Sequence, residues 1–188
     1  TLRVMRWGLV PAWSKDAGGG AKMINARSET AATKPAFRTS MASRRCIMPA
    51  EGWYEWQRDG KVKQPFFTHR KDGASLAMAG LWTVWRDKEN PDSEPLVTCA
   101  VLTMPSVDKL TEIHDRMPVL LPPDAWNDWL DPDRKDATDL IVPPSEEFLA
   151  ALDLRPVSPL VNSVKNNSAE LLEPLREQDE PALFTPGT

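Results

Sequence analysis

The chain has 188 residues, of which 41% are hydrophobic and 27% charged, a composition that excludes disordered, collagen-like and disulfide-scaffold proteins. The 27 acidic and 23 basic residues give a net charge of −4. Residues 1–86 alone carry fifteen basic and six acidic side chains, a net of +9, which predicts a polyanion partner for this half.

Short strands separated by turns dominate the predicted elements. Eighteen prolines interrupt the chain, so long helices are not expected. Turns at Asp59-Gly60 and Asp72-Gly73 predict a three-stranded meander between residues 52 and 85. Apolar and β-branched runs predict strands at residues 1–10, 44–50, 52–57, 64–70, 75–85, 95–104 and 116–121.

Helical patterns are few and short. Residues 28–42 contain Pro35 and predict two short helices, residues 122–130 begin with proline, and residues 145–152 begin with a Ser cap and two acids. The predicted fold is α+β and β-rich, an antiparallel barrel-like sheet with short peripheral helices. We expect a single domain over residues 1–188, with a flexible tail from about 176 to 188.

Metal, cofactor and membrane signals are weak. Cys46 and Cys99 lie in apolar runs and are predicted to be reduced core thiols. Two His and two Cys without CxxC or HxxxH spacing predict no metal site. The glycine-rich segment 17–23 lacks the Ser or Thr of a phosphate loop, so it predicts a mobile surface loop and no cofactor. No apolar run approaches the roughly 20 residues of a membrane span, and we expect a cytoplasmic protein.

Two side chains are candidates for proton transfer. Glu55 lies among aromatic residues in a strand, where loss of solvent raises a carboxyl pKa and makes it a usable proton shuttle. The alternative is an edge-strand Glu directed into water. His114 lies between a helical pattern and a strand, where an imidazole can exchange protons near neutral pH. Its alternative is a structural histidine tethered by Asp115.

A second group of candidates suits a nucleic acid. Asn25 has an amide that can orient a nucleophile, or that can serve only a local turn. The planar fork of Arg27 suits phosphate. Trp7 and Trp13 bracket the segment WGLVPAW. An exposed Trp near arginines would form a stacking platform for single-stranded nucleic acid, and the arginines in question are Arg27, Arg38, Arg44 and Arg45.

Seven motifs occur in order between about residues 5 and 175: WGLVPAW, INARSET, RRCIMPAEGWYEW, QPFF, AGLW, IHDRMPVLL and VNSVKN. Together they resemble the SOS-response-associated peptidase (SRAP) family, which includes abasic-site-processing proteins. The resemblance implies a β-rich fold with a positively charged cleft for single-stranded DNA that carries an abasic site. It also implies a mature N-terminal Cys whose amine and thiol trap the abasic aldehyde as a thiazolidine.

The resemblance further implies roles for individual residues. Glu55 would shuttle protons during Schiff-base formation, Asn25 would position the N-terminal group, and His114 would assist opening of the sugar ring. Arg27 would hold phosphate and Trp13 would stack near the lesion.

The Cys-Gly-Arg start of the family is absent, because residue 1 is Thr. Cys46 and Cys99 cannot replace it, since a thiazolidine needs the amine and thiol of one residue. We expect that a segment with this Cys precedes Thr1, because Asn25, Glu55 and His114 would have little use without a nucleophile. The alternative is a truncated form that cannot crosslink.

Three functions follow from these patterns. The leading one is an abasic-site sensor in the DNA damage and SOS response that becomes covalently attached to single-stranded DNA, a lyase-like activity. The second is a thiol peptidase, a hydrolase acting on proteins or on its own N-terminus. The third is a noncovalent single-stranded DNA binder. We expect a bacterial, cytoplasmic monomer that associates with the nucleoid when engaged on DNA.

Overall fold

The structure is a computed structural model that describes residues 1–60 and 62–175. The chain divides into two compact units. The first unit comprises Thr1–Ala50, Leu76–Pro105 and Arg116–Ser145. The second comprises Glu51–Ser75, Ser106–Asp115 and the described part of Glu146–Thr188. The tail predicted for residues 176–188 lies outside the described residues, and the expectation of a single domain stays a prediction.

Strands dominate both units, and the mixed α+β class with short helices is confirmed. The strands of the described chain are β1 (Arg6–Trp7), β2 (Asn25–Arg27), β3 (Arg45–Ala50), β4 (Gly52–Asp59), β5 (Val62–Arg70), β6 (Leu76–Trp85), β7 (Leu96–Pro105), β8 (Arg116–Pro118) and β9 (Leu152–Pro156).

The helices are short because prolines and turns interrupt their patterns. The α-helices are α1 (Ser28–Ala31), α2 (Arg38–Ser43), α3 (Trp126–Leu130) and α4 (Glu146–Ala150). The 3-10 helices cover Gly18–Lys22, Asp108–Glu112, Pro123–Ala125, Thr138–Leu140, Pro159–Asn162 and Ala169–Leu172. No helix in the described ranges has the length and apolar content that crossing a bilayer would take.

The sheet of the first unit is built around β7. This strand is buried along almost its whole length, as expected for a continuous apolar run covered on both faces. β3, β6 and β7 pair antiparallel, and β8 pairs antiparallel with the end of β7. β1 and β2 pair parallel with β7, an addition to the antiparallel sheet that the sequence predicts. These two strands have two and three residues, too few to carry a pairing signal of their own.

The glycine-rich segment lies mostly at the surface, as predicted, but it forms a short helix that the sequence did not predict. Gly18–Lys22 forms a 3-10 helix in which Gly20 is buried. A Cβ on Gly20 would lie 2.6 Å from the carbonyl oxygen of Gly8, whose own φ is +113°. The glycines therefore permit a close approach of two backbone segments.

The sheet of the second unit has the order β4-β5-β9 and is antiparallel throughout. The predicted hairpin at Asp59-Gly60 joins β4 to β5, with Gly60 at φ +56°. The meander prediction is wrong for its third strand, because β6 pairs with β3 and β7. The turn at Asp72-Gly73 does form, with Gly73 at φ +72°. A turn signal determines a local reversal and leaves open which strand becomes the partner.

Candidate active site

The second unit brings the two proton-transfer candidates together. Glu55 lies on β4 opposite Phe66, and its side chain is 27% exposed. His114 follows the 3-10 helix Asp108–Glu112 and is 35% exposed. Its Nδ1 atom lies 3.9 Å from Oε1 of Glu55. This distance is slightly longer than that of a hydrogen bond. A small movement of either side chain would allow the two groups to share a proton.

Backbone contacts within the second unit hold the segment that carries His114. The Gln57 side-chain amide on β4 donates to the carbonyl oxygen of Glu112 at 3.0 Å. The Lys109 ammonium donates to the carbonyl oxygen of Leu152 on β9 at 2.8 Å. The segment that ends in His114 is therefore tied to both outer strands of the three-stranded sheet.

Electrostatics at the pair act on Glu55 in opposite directions, with a net rise in its pKa. Burial raises the pKa of the Glu55 carboxyl, while attraction to His114 lowers it in part. The Nδ1 atom of His114 also lies 3.3 Å from Oδ1 of Asp115, so two carboxylates flank one imidazole nitrogen. Glu55 does stand on a strand at the end of the sheet order, yet it is half-buried there. Glu55 therefore combines the edge-strand position of a surface Glu with the partial burial expected of a proton shuttle.

The pair lines a cleft of about 510 Å³ in the second unit. The other side chains of its wall are Trp56, Arg58, Lys63 and Asn162. The acid and imidazole therefore share their cleft with two cations and an amide. Arg58, Lys63 and Asn162 are not among the site residues predicted from the sequence. The signal that could have found Asn162 is its place in the motif VNSVKN.

Asn25 and Arg27 belong to the first unit, at the two ends of β2. Both are exposed, whereas Ala26 between them is buried, because successive side chains of a strand alternate between faces. Arg27 also stands at the N-cap position of α1. The two side chains thus project from one face of a short strand.

An ion pair that the sequence analysis missed anchors the start of α1. Arg116 on β8 pairs through both terminal nitrogens with the Glu29 carboxylate, and one of them also donates to the carbonyl oxygen of Thr103 at 2.7 Å. Hydrogen bonds from Arg116 lower the pKa of Glu29 to about 2. The pair connects the helix that follows Arg27 to the end of β7.

Three other predicted DNA contacts are accessible to different degrees. Trp13 is 61% exposed, and Arg38 is exposed at the first position of α2. Arg44 is half-buried, with its guanidinium 5.9 Å from the ring centre of Trp82 and a hydrogen bond of 3.2 Å to Thr83 Oγ1. Arg44 is thus partly engaged within the first unit.

Arg45 is buried, so it cannot serve as a DNA contact. It is 6% exposed, and its pKa is lowered by burial. A guanidinium in that position must be satisfied by the protein. Its nitrogens donate to four backbone carbonyl groups, those of Met41, Trp129, Asp131 and Arg134. Arg45 has a structural role in the first unit.

Both cysteines are free and buried, which confirms the prediction of reduced core thiols. Burial raises the pKa of Cys46 to about 12 and also raises the pKa of Cys99. A thiol of this kind is a poor nucleophile at neutral pH. Within residues 1–60 and 62–175, no cluster of three His, Cys, Asp or Glu suits a metal ion.

Comparisons with known proteins point to one family. The family model described as SOS response associated peptidase (SRAP) matches residues 1–164. Abasic site processing protein YoaM of Bacillus subtilis is 44% identical over 176 residues, which cover 92% of this chain and 75% of that protein. Abasic site processing protein YedK of Escherichia coli is 34% identical over 174 residues, which cover 90% of this chain and 73% of that protein.

A solved structure agrees with these sequence matches. The crystal structure of a protein from Bacteroides thetaiotaomicron has a TM-score of 0.80 and 27% sequence identity. The match covers 93% of this chain and 77% of that chain. Fold, ordered motifs and family model agree over most of the sequence, and the chain belongs to the SOS response associated peptidase (SRAP) family.

Proposed function

We propose that this protein processes abasic sites in single-stranded DNA and becomes covalently attached to them as part of a DNA damage response. Two curated relatives carry the name abasic site processing protein. The observation that carries the proposal is the Glu55–His114 pair, 3.9 Å apart in a cleft with two cations. A proton shuttle beside positive charge suits chemistry on a sugar held between phosphates.

The proposed reaction joins an N-terminal Cys to the ring-opened sugar. The amine nitrogen attacks the aldehyde carbon and forms a C–N bond, and the amine proton passes to the Glu55 carboxylate. Glu55 returns this proton to the aldehyde oxygen, which gives the carbinolamine. The second amine proton follows the same route to the hydroxyl, which leaves as water and yields an imine. The thiol of the same Cys adds to the imine carbon, and its proton passes to the nitrogen as the thiazolidine closes. No external oxidant or reductant is needed.

The raised pKa of Glu55 supports this role, because an acid with a pKa nearer neutrality can both accept and return a proton. His114 is proposed to assist opening of the sugar ring by proton transfer. In the first unit, Asn25 is proposed to orient the attacking amine, which has an ordinary pKa of about 8. Arg27, Arg38 and Arg44 are proposed phosphate contacts, and Trp13 a stacking surface for a base.

The proposal requires a Cys upstream of Thr1 as the first residue of the mature protein. Cys46 and Cys99 are buried and carry raised pKa values, which argues against either as the nucleophile. We propose that the protein acts as a cytoplasmic monomer and joins the nucleoid when bound to damaged DNA.

The test is a crosslinking assay with the full-length protein. Incubation with single-stranded DNA that contains one abasic site should yield a slower band on a denaturing gel, and an intact strand should not. Replacement of the N-terminal Cys by Ala should abolish the band. A band that persists in this variant, or no band with the unmodified protein, would overturn the proposal.

A thiol peptidase is the second candidate, and the description of the family favours it. The same full-length protein should then cleave an unrelated peptide, with activity lost in Glu55→Ala. Release of only its own initiator Met would limit the peptidase activity to self-processing. Salt-sensitive binding that ignores the abasic site, without crosslinking, would instead indicate a noncovalent single-strand binder.

A further inference from the structure

Two cations face each other on the β4–β5 hairpin. Arg58 on β4 is the direct cross-strand partner of Lys63 on β5, and both side chains are exposed. Like charges placed directly opposite on an antiparallel pair destabilise the sheet. Among the side chains that the structure describes, which do not include those of residues 59 and 61, no carboxylate forms an ion pair with either of them. The repulsion is therefore uncompensated within the described protein, as at a site that is completed by an anion.

Asn162 adds a neutral donor to the same cleft. The indole Nε1 of Trp56 donates to Oδ1 of Asn162 at 2.6 Å. Because an indole N–H can only donate, it requires the amide oxygen as its partner, and the NH₂ group of Asn162 is turned away from the indole. Asn162 lines the cleft together with Arg58 and Lys63, so this NH₂ group is available to an acceptor there.

The turn that carries Asn162 is held in place by its own side chains. Ser158 Oγ accepts from the backbone N–H of Leu160 at 3.3 Å at the start of the 3-10 helix Pro159–Asn162. The Asn166 side-chain amide donates to the carbonyl oxygen of Leu160 at 2.7 Å. The amide of Asn162 is thus positioned before any ligand binds, which reduces the entropy lost on binding.

We infer that Arg58, Lys63 and the Asn162 amide form a subsite for a phosphate group, beside the Glu55–His114 pair. The three side chains offer two positive charges and several N–H donors to a ligand with several acceptor oxygens. The identity of the ligand rests on the proposed function: it is a backbone phosphate of the single strand next to the reacting sugar. Bound there, the phosphate compensates the repulsion between Arg58 and Lys63.

The experiment measures noncovalent binding of the full-length protein to an intact single strand over a series of salt concentrations. Removal of a phosphate contact should lower the slope of log affinity against log salt by about 0.7. We expect the double variant Arg58→Gln/Lys63→Gln to lose at least this much slope and about tenfold in affinity at low salt. Lys71→Gln is the matched control, since Lys71 follows the opposite end of β5 and should change the slope little.

Asn162→Asp tests the amide separately. The Asp carboxylate keeps an acceptor for Trp56 and replaces the NH₂ donor by a negative oxygen, so DNA affinity should fall about tenfold. Circular dichroism and thermal unfolding of each variant establish that it is folded. An unchanged salt slope in the double variant, an equal loss in Lys71→Gln, or undiminished affinity in Asn162→Asp would overturn the subsite.

Inorganic phosphate distinguishes a general phosphate site from a DNA-dependent one. At matched ionic strength, phosphate should weaken DNA binding by the unmodified protein more than chloride does. In the double variant, phosphate and chloride should weaken DNA binding to the same extent. The same excess in both proteins counts against the subsite. Because the strand is intact, this result is independent of crosslinking: loss of the band with abasic DNA would overturn the proposed function and leave the phosphate measurement standing.

Discussion

Glu55 meets two opposed requirements at one position. Its half-buried carboxyl group has a raised pKa because burial disfavours the charged form. Such a group contributes less to stability as the pH rises above the ordinary pKa of a Glu, because the unfolded chain solvates the charged form better. The same shift suits a proton shuttle. The proposed function therefore accounts for a residue that lowers the stability of the fold.

Glu55→Gln should separate these two effects. Crosslinking to abasic DNA should slow by roughly 100-fold or more, the usual contribution of a general acid or base. At pH 7 the variant should unfold at a higher denaturant concentration than the unmodified protein. The pKa of Glu55 is higher in the folded protein than in the unfolded chain. Its contribution to the free energy of unfolding is therefore fully present below the ordinary pKa of a Glu, and it is lost as the pH rises through the raised pKa. The advantage of the variant should therefore shrink towards pH 4.

Glu112→Gln is the control for this experiment. Glu112 is an exposed carboxylate two residues before His114, and it is not part of the cleft wall. Its replacement should leave both crosslinking and the pH dependence unchanged. If Glu55→Gln and Glu112→Gln behave alike, Glu55 is only a surface residue.

Arg45 shows how burial changes the role of a residue type. Its guanidinium satisfies four carbonyl groups of the first unit, so Arg45→Met should leave buried acceptors without donors. We expect a loss of about 3 kcal/mol in the free energy of unfolding, measured by urea denaturation. Arg38→Met, at an exposed position, should change it by less than about 0.5 kcal/mol. Equal effects would contradict the structural role.

At the scale of elements, β1 and the 3-10 helix Gly18–Lys22 depend on a contact between two glycines. Gly20→Ala would place a Cβ 2.6 Å from the Gly8 oxygen and 2.8 Å from Val10 Cγ2. We expect a loss of about 1–3 kcal/mol, because the backbone must move to relieve the overlap. Gly19→Ala meets nothing within 4 Å and should be neutral or stabilising by about 0.5 kcal/mol. Thermal unfolding of both variants tests the contact, and similar values would refute it.

Elements were predictable where their chemistry is local. Pro35 separates α1 from α2, and Asp59-Gly60 turns β4 into β5, because backbone dihedral limits act within a few residues. The partner of β6 was not predictable in the same way. Its apolar residues suit any neighbouring strand, and the outcome depends on which complete sheet buries them.

At the scale of the whole molecule, each unit is assembled from three separate chain segments. The contrast between a basic and an acidic half along the chain therefore does not map onto the units. The segments of the first unit contain fourteen basic and twelve acidic residues, because the acidic side chains of residues 76–105 and 116–145 offset the cations of residues 1–50. The charge imbalance points to an anionic partner, and only the fold decides which cations share a cleft.

This organisation predicts an order of folding. β6 and β7 are neighbours in sequence, whereas β2 must pair with β7 across more than 70 residues. Closing the longer loop costs more entropy, so distant pairs should form later. In pulsed hydrogen-exchange labelling during refolding, amides of the β6–β7 ladder should gain protection before those of Asn25–Arg27. Simultaneous protection would contradict this order.

The sequence by itself determined the strands β3 to β8, the hairpin at Asp59-Gly60, the reduced thiols and the resemblance to the SRAP family, whereas β2 and β9 were not predicted. These depend on residue identity and on local backbone chemistry. Only the tertiary structure decided the parallel pairing of β1 and β2, the burial of Arg45 and the 3.9 Å approach of His114 to Glu55. The physical reason is separation along the chain: Glu55 and His114 stand 59 positions apart, and packing of the intervening strands, which no local pattern specifies, sets their distance.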